Sequence, residues 1–147
     1  MKALIIILVL MAFLQSALLP VDLVLVMLIV RSFIISARNN LWLAFGFGLF
    51  VSLLTAQILG LHSLIYLISV ILVHVAKKSQ LTGSWLTVLP LVLTSSILLQ
   101  LIQLLTLGQS ISWTNILYQL FSTIPIYFGL KLWEERFVIP AYIRLKM

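Results

Sequence analysis

The sequence predicts an all-α integral membrane protein, a compact bundle of about six transmembrane helices. Three observations lead there. The 147 residues are 63% hydrophobic and only 8% charged, with a mean hydropathy of +1.27, whereas a soluble domain carries about 25% charged residues. The apolar runs are interrupted at intervals suited to helices that cross ~30 Å of hydrocarbon, each needing about 20 residues. Lys and Arg recur in alternate connections, as topology signals do in membrane proteins.

The first span is expected at 3–19, closed by Pro20 and Asp22. Met1-Lys2, the apolar Ala3 to Leu14 and Gln15-Ser16-Ala17 have the outline of a signal peptide. More membrane segments follow instead of an exported domain, so an uncleaved span is expected. The second span runs over 21–37 up to the Asn39-Asn40 turn, and the third over 41–58 up to Gly60. The fourth covers 60–76 before the polar stretch from Lys77 to Gly83. The fifth covers 85–107 before the turn from Gly108 to Ser112, and the sixth 113–133. A short basic tail, 134–147, completes the chain. Six spans use about 120 residues, so no separate soluble domain is expected. Trp42, Trp85, Trp113 and Trp133 fall at span ends, where an amphipathic ring prefers the headgroup level.

Placing Lys2 on the cytoplasmic side also places Arg38, Lys77, Lys78 and the tail residues Lys131, Arg136, Arg144 and Lys146 there. The three opposite connections contain no Lys or Arg. This positive-inside pattern requires an even number of spans and puts both termini in the cytoplasm. It also accounts for the net charge of +6, so the basic balance calls for no nucleic-acid partner. The absence of Cys excludes disulfides, thiolate nucleophiles and Cys-based metal sites.

Within the third span a small residue returns every fourth position, as Ala44, Gly48, Ser52, Ala56 and Gly60. Such a stripe lets helix backbones approach closely in lipid, where no hydrophobic force joins helices. The stripe is expected to pack inside the bundle; Gly46 lies off it and offers a second close-contact point on an outer face. Ser96, Gln100 and Gln103 share one face of the fifth span, and Gln119 and Thr123 repeat the pattern on the sixth. Both sets are expected to pack helices, with a ligand-pocket wall as the functional alternative. Pro125 is expected to kink the last span.

Arg31 is the costliest residue, about 10 Å deeper than Arg38 along a regular helix. Snorkelling competes with a paired or functional role, and Asp22 lies on the opposite face of the same helix. Asp22 is expected at the outer interface, capping a helix start. His62 and His74 lie about 120° apart around the fourth span and are read as interfacial residues, not as a metal pair. Glu134 and Glu135, beside Lys131 and Arg136, are read as a solvated charged face. No nucleophile with a base, no carboxylate pair at membrane depth and no phosphate-binding Gly loop is present. No catalytic, cofactor or metal site is therefore expected, and the chain is read as a non-enzyme.

Leu19-Pro20-Val21-Asp22-Leu23, then Gly46-Phe47-Gly48-Leu49, then Leu59-Gly60-Leu61-His62-Ser63-Leu64 resemble, in order and spacing, the rod shape-determining protein MreD family. Length, tight connections and the short basic tail agree. In that family an Asp commonly follows four residues after the Gly matched by Gly48; this chain has Ser52. The resemblance implies a non-enzymatic subunit of the bacterial cell-elongation machinery in the cytoplasmic membrane, supporting cell shape and peripheral peptidoglycan synthesis. Its implied partners are MreC, the MreB filament, RodA and a class B penicillin-binding protein, together with membrane lipids. The implied fold is similar to the substrate-binding subunits of energy-coupling-factor transporters, a likeness that does not carry function. The tail would lie against anionic headgroups or a cytoplasmic partner. The rival reading is the substrate-binding subunit of a vitamin-type transporter, with Arg31, Gln100 and Gln103 lining a pocket.

Overall fold

Twelve residues, LVLVMLIVRSFI, form the helix α2 (Leu23–Ile34), and every side chain from Leu23 to Ser32 is buried. A helix apolar all round belongs at the centre of other helices, and that is its place in the computed structural model of the chain. The structure describes residues 2–18, 21–35, 38–78 and 85–137, apart from the side chains of Lys2, Trp85 and Phe137. Around α2 stand α1 (Lys2–Ala17), α3 (Asn39–Leu54), α4 (Leu61–Lys78), α5 (Val88–Leu107) and α6 (Trp113–Phe137). In that order each packs on the next, and all five touch α2. A single 3₁₀ turn, Trp85–Thr87, leads into α5. The described residues contain six α-helices and no strand.

Two helices, α4 and α5, are long and apolar enough to cross a membrane; α1, α2 and α3 are apolar but shorter. The span expected over 21–37 contracts to α2, about 18 Å at 1.5 Å per residue. Its ends are held by protein groups. Asp22 is the N-cap, accepting from Leu25 N–H at 3.3 Å, and Gln15 Oε1 accepts from Val24 N–H at 3.0 Å. Leu23 N–H donates to Val21 O, and Val26 N–H to Asp22 O. Leu23, Val24 and Leu25, three of the N–H groups that a helix start leaves open, thus find partners within the protein, and Val26 makes the first bond of the helix itself. At the other end Asn40 Nδ2 donates to Ile35 O at 2.7 Å and Lys77 Nζ to Ile34 O at 3.4 Å; a cation is favourable at a helix C-terminus. Asn39 and Asn40 therefore begin α3 instead of forming the expected turn.

The small-residue stripe divides at the end of α3. Ala44, Gly48 and Ser52 are buried, and Gly48 lies so close to Ser63 and His62 of α4 that no side chain fits. Ala56 and Gly60 lie beyond the helix, which ends at Leu54. Gln57 N–H bonds Ser52 O and Ala56 N–H bonds Leu53 O, with Ala56 at φ +51°. This pattern is a Schellman cap whose left-handed position holds Ala where Gly is usual. Ala56 and Gly60 thus shape the α3–α4 turn and do not extend the packing stripe. Ala56→Gly is expected to stabilise the chain by about 1 kcal/mol by removing the left-handed strain, read as a raised midpoint in equilibrium unfolding.

Pro90 sits in the first turn of α5, where its missing N–H has no helical partner to lose. Pro125 stands within α6, which continues through it to Phe137. Glu134, Glu135 and Arg136, expected in the tail, are therefore the last turn of a helix, and 138–147, with Arg144 and Lys146, lie outside the described residues. Pro20 and the stretch 79–84 also lie outside them.

Candidate functional site

Because α2, α4 and α6 run parallel and α1, α3 and α5 oppose them, residues far apart in the chain share each end of the bundle. Asp22 opens α2 beside Tyr66, whose hydroxyl donates to Asp22 Oδ1 at 2.5 Å. Gln119 of α6, also buried, donates from Nε2 to Asp22 O at 3.2 Å. His62 is buried, with Nδ1 3.4 Å from Ser52 Oγ and its ring edge-on to Tyr66 at 6.0 Å. His62 stands at the start of α4, as expected of a residue near a span end, but as a buried and partnered side chain and not a solvated one; the tight α3–α4 approach at Gly48 draws it inside.

These groups surround a cavity of about 300 Å³, whose walls include Gln15, Asp22, Gln57, His62, Gln103, Asn115 and Gln119. Its rim is the α5–α6 turn, where Gln109 and Ser110 are exposed. Gln100 holds that turn with both ends of its amide: Nε2 donates to Ser112 O at 3.1 Å, and Ser112 N–H donates to Oε1 at 2.9 Å. Ser96 is buried and donates to Val92 O in its own helix at 2.7 Å. Thr123 does the same toward Gln119 O. The expected polar face of α5 therefore separates into a back-bonded hydroxyl, a turn clasp at Gln100 and a cavity wall at Gln103.

The described basic residues gather at the opposite end. Arg31, placed at the far end of α2 from Asp22, takes no part in the cavity, which removes it from the pocket envisaged with Gln100 and Gln103. It is buried, as is Glu134 of α6. Burial pushes the Glu134 carboxyl above its ordinary value of 4.5, against the opposite pull of Arg31 and Lys77. Glu134 is thus corrected from a solvated residue to one facing two cations within the bundle. Glu135 remains on the exposed side, 4.0 Å from Lys131. His74, with Nδ1 3.1 Å from Val70 O, lies toward this end of α4. No group of three or more metal-binding side chains occurs among the described residues.

A third feature lies on the flank. Gly46 is exposed, with nothing within 4 Å of where a Cβ would stand. It opens a groove of about 270 Å³ between α1 and α3, lined by Val9, Trp42, Leu43, Phe47 and Phe50. Trp42 is 77% exposed at its edge. No family model matches the chain, and no curated protein or solved structure matches it either.

Sequence reading named Asp22 and His62 but not Tyr66, Gln15, Gln57 or Asn115 as their neighbours. A signal was present: Gln15, Asp22, Gln57, His62, Gln103 and Gln119 fall near the same end of their respective spans once alternate spans are reversed.

Proposed function

We propose that this chain is a non-enzymatic, multi-pass membrane subunit of the bacterial cell-elongation complex, of the MreD type, binding MreC and through it the peptidoglycan synthase. The observation that carries the docking part is the Gly46 groove. An exposed glycine between aromatic walls lets a foreign helix meet the α3 backbone directly, which is how transmembrane helices associate. Membrane residence is supported by α4 and α5 and by the outward apolar surface. Leu10, Phe13, Trp42, Leu53, Leu105, Leu117 and Phe121, on four different helices, are all exposed large apolar side chains, as expected of a surface that meets lipid. The short α2 is compatible with a six-span bundle because it is screened from lipid on every side. Arg31, Arg38, Lys77, Lys78, Lys131 and Arg136 occupy one end, which in this reading faces the cytoplasm with both termini.

The test is recovery of partners from solubilised native membranes with the tagged chain. MreC is expected to co-purify with the wild type, and Gly46→Leu to lower its recovery about tenfold while the purified variant unfolds at or above the wild-type midpoint. Undiminished recovery with Gly46→Leu takes the groove out of the interface. The polar cavity favours a second reading, a solute-binding membrane subunit. Recovery of ATPases with a membrane coupling subunit, in place of MreC, selects that reading.

A further inference from the structure

The helices around α2 leave a slot between α1 and α6. It measures about 450 Å³, walled by Ile7 and Met11 of α1 and by one face of α6 from Ser122 to Trp133, with the buried Leu23 and Met27 of α2 at its depth. Gly129 keeps it open: the residue is exposed, and nothing lies within 4 Å of where its Cβ would stand. The one hydroxyl in these walls, that of Ser122, already donates to Gln119 O at 2.9 Å. The slot therefore suits an apolar occupant with no hydrogen bonds to make.

Shape and charge together narrow the choice. From Ser122 to Trp133 the slot follows α6 for about 16 Å. Its mean cross-section is therefore roughly 30 Å², against roughly 80 Å² for an α-helix about 10 Å across. A helix of a partner or of a second copy can lie over such a slot but cannot fill it, whereas an extended hydrocarbon chain enters. The face of α6 that lines it, through Ser122, Ile126, Gly129 and Trp133, reaches Arg136 at the next step of the same spacing. Arg136 is exposed and forms no ion pair among the described residues. The start of α1 stands at the same pole, because α1 and α6 run in opposite directions, and a helix start favours an anion. Trp133 marks the depth at which an amphipathic ring meets the headgroups. An apolar slot that ends at a cation on that level is complementary to an amphiphile with an anionic head.

We propose that the α1–α6 slot holds one acyl chain of an anionic phospholipid, with its phosphate at Arg136. The inference rests on the membrane residence proposed above but not on MreC, since the Gly46 groove lies on the other flank of α1, against α3.

The test places the full chain in nanodiscs of phosphatidylglycerol and phosphatidylethanolamine in equal amounts, releases it into mild detergent and counts the bound lipid by native mass spectrometry. The wild type is expected to keep one phosphatidylglycerol per chain in preference to phosphatidylethanolamine. Gly129→Leu fills the slot from an exposed position and is expected to cut retention about tenfold, because the new side chain takes up the contacts of the acyl chain. Its unfolding midpoint is expected at or above that of the wild type, Leu being the better helix former. Should that variant fail to fold, Ser122→Leu, at the other end of the slot, decides in the same way. Arg136→Gln is expected to lower phosphatidylglycerol retention about fivefold, the weight of one basic residue near an anionic headgroup. Lys131→Gln removes the same charge from α6 away from the slot and is expected to leave retention unchanged. Equal retention of the two lipids by the wild type, undiminished retention in the slot-filling variant, or an equal loss in Lys131→Gln overturns the proposal. Lost lipid preference with MreC still recovered overturns this inference alone; a chain absent from the membrane fraction overturns the residence on which both readings rest.

Discussion

Gly48→Ala lowers the unfolding free energy of the detergent-solubilised chain by about 3 kcal/mol, the upper end of the usual cost of overpacking. A Cβ at this position would stand 2.5 Å from Ser63 N and 2.9 Å from His62 C, and closer still to Ser63 Cα. All three are backbone atoms, so no rotamer change makes room and the α3 and α4 axes must part. Their separation also draws His62 from Ser52 and disturbs the cavity wall. Gly46→Ala is the matched control: the same helix gains the same methyl in open space, and the intrinsic preference of Ala over Gly favours it by about 1 kcal/mol. Equilibrium unfolding of the two variants reads the difference directly. An unchanged midpoint in Gly48→Ala would show that α3 and α4 are not held at this contact. Gly48 therefore reports on folding of the bundle, and Gly46, open on its flank, does not.

Arg31→Leu is expected to destabilise the chain by up to about 3 kcal/mol, the lower end for removing one member of a buried charge pair, because Glu134 keeps only the longer-range attraction of Lys77. The loss falls on Glu134, a buried carboxyl already pushed above its ordinary value in spite of two cations. Adding Glu134→Leu to Arg31→Leu is expected to restore wild-type stability or exceed it, since apolar replacements of a buried pair are often neutral or better. A double-mutant cycle in equilibrium unfolding isolates this coupling. Arg31→Leu at wild-type stability, with no coupling to Glu134, would reduce Arg31 to a residue reaching for the headgroups.

Several parts of this molecule were legible before any coordinate. The helix count follows from the spacing of Asp22, Gly60 and Gly108 between apolar runs, and Asp22 is the N-cap that its residue type suggests. The segregation of Lys and Arg to one end follows from their recurrence in alternate connections. The close approach at Gly48 follows from a small residue every fourth position. Where that same pattern continued through Ala56 and Gly60 it misled, because periodicity carries no mark of where a helix stops; the Schellman cap at Ala56 ends α3 without the Gly that usually signals it. Span length misled at 21–37 for a related reason. Hydropathy measures what a residue tolerates and cannot separate lipid from a protein interior, so the fully enclosed α2 looked like another membrane-length helix.

By itself the sequence determined the helical class, the alternation that brings the ends of the helices to two poles, and the placement of the described Lys and Arg residues at one of them. These follow from properties that a residue carries with it, its apolarity, its charge and its conformational range. Tertiary structure alone decided that α2 is the hub, that Arg31 answers to Glu134 103 positions later in the chain, and that Asp22, Gln57, His62 and Gln119 close on one cavity. Such pairings are set by how five helices arrange around a sixth, and that packing depends on contacts between surfaces that are equally apolar in the sequence.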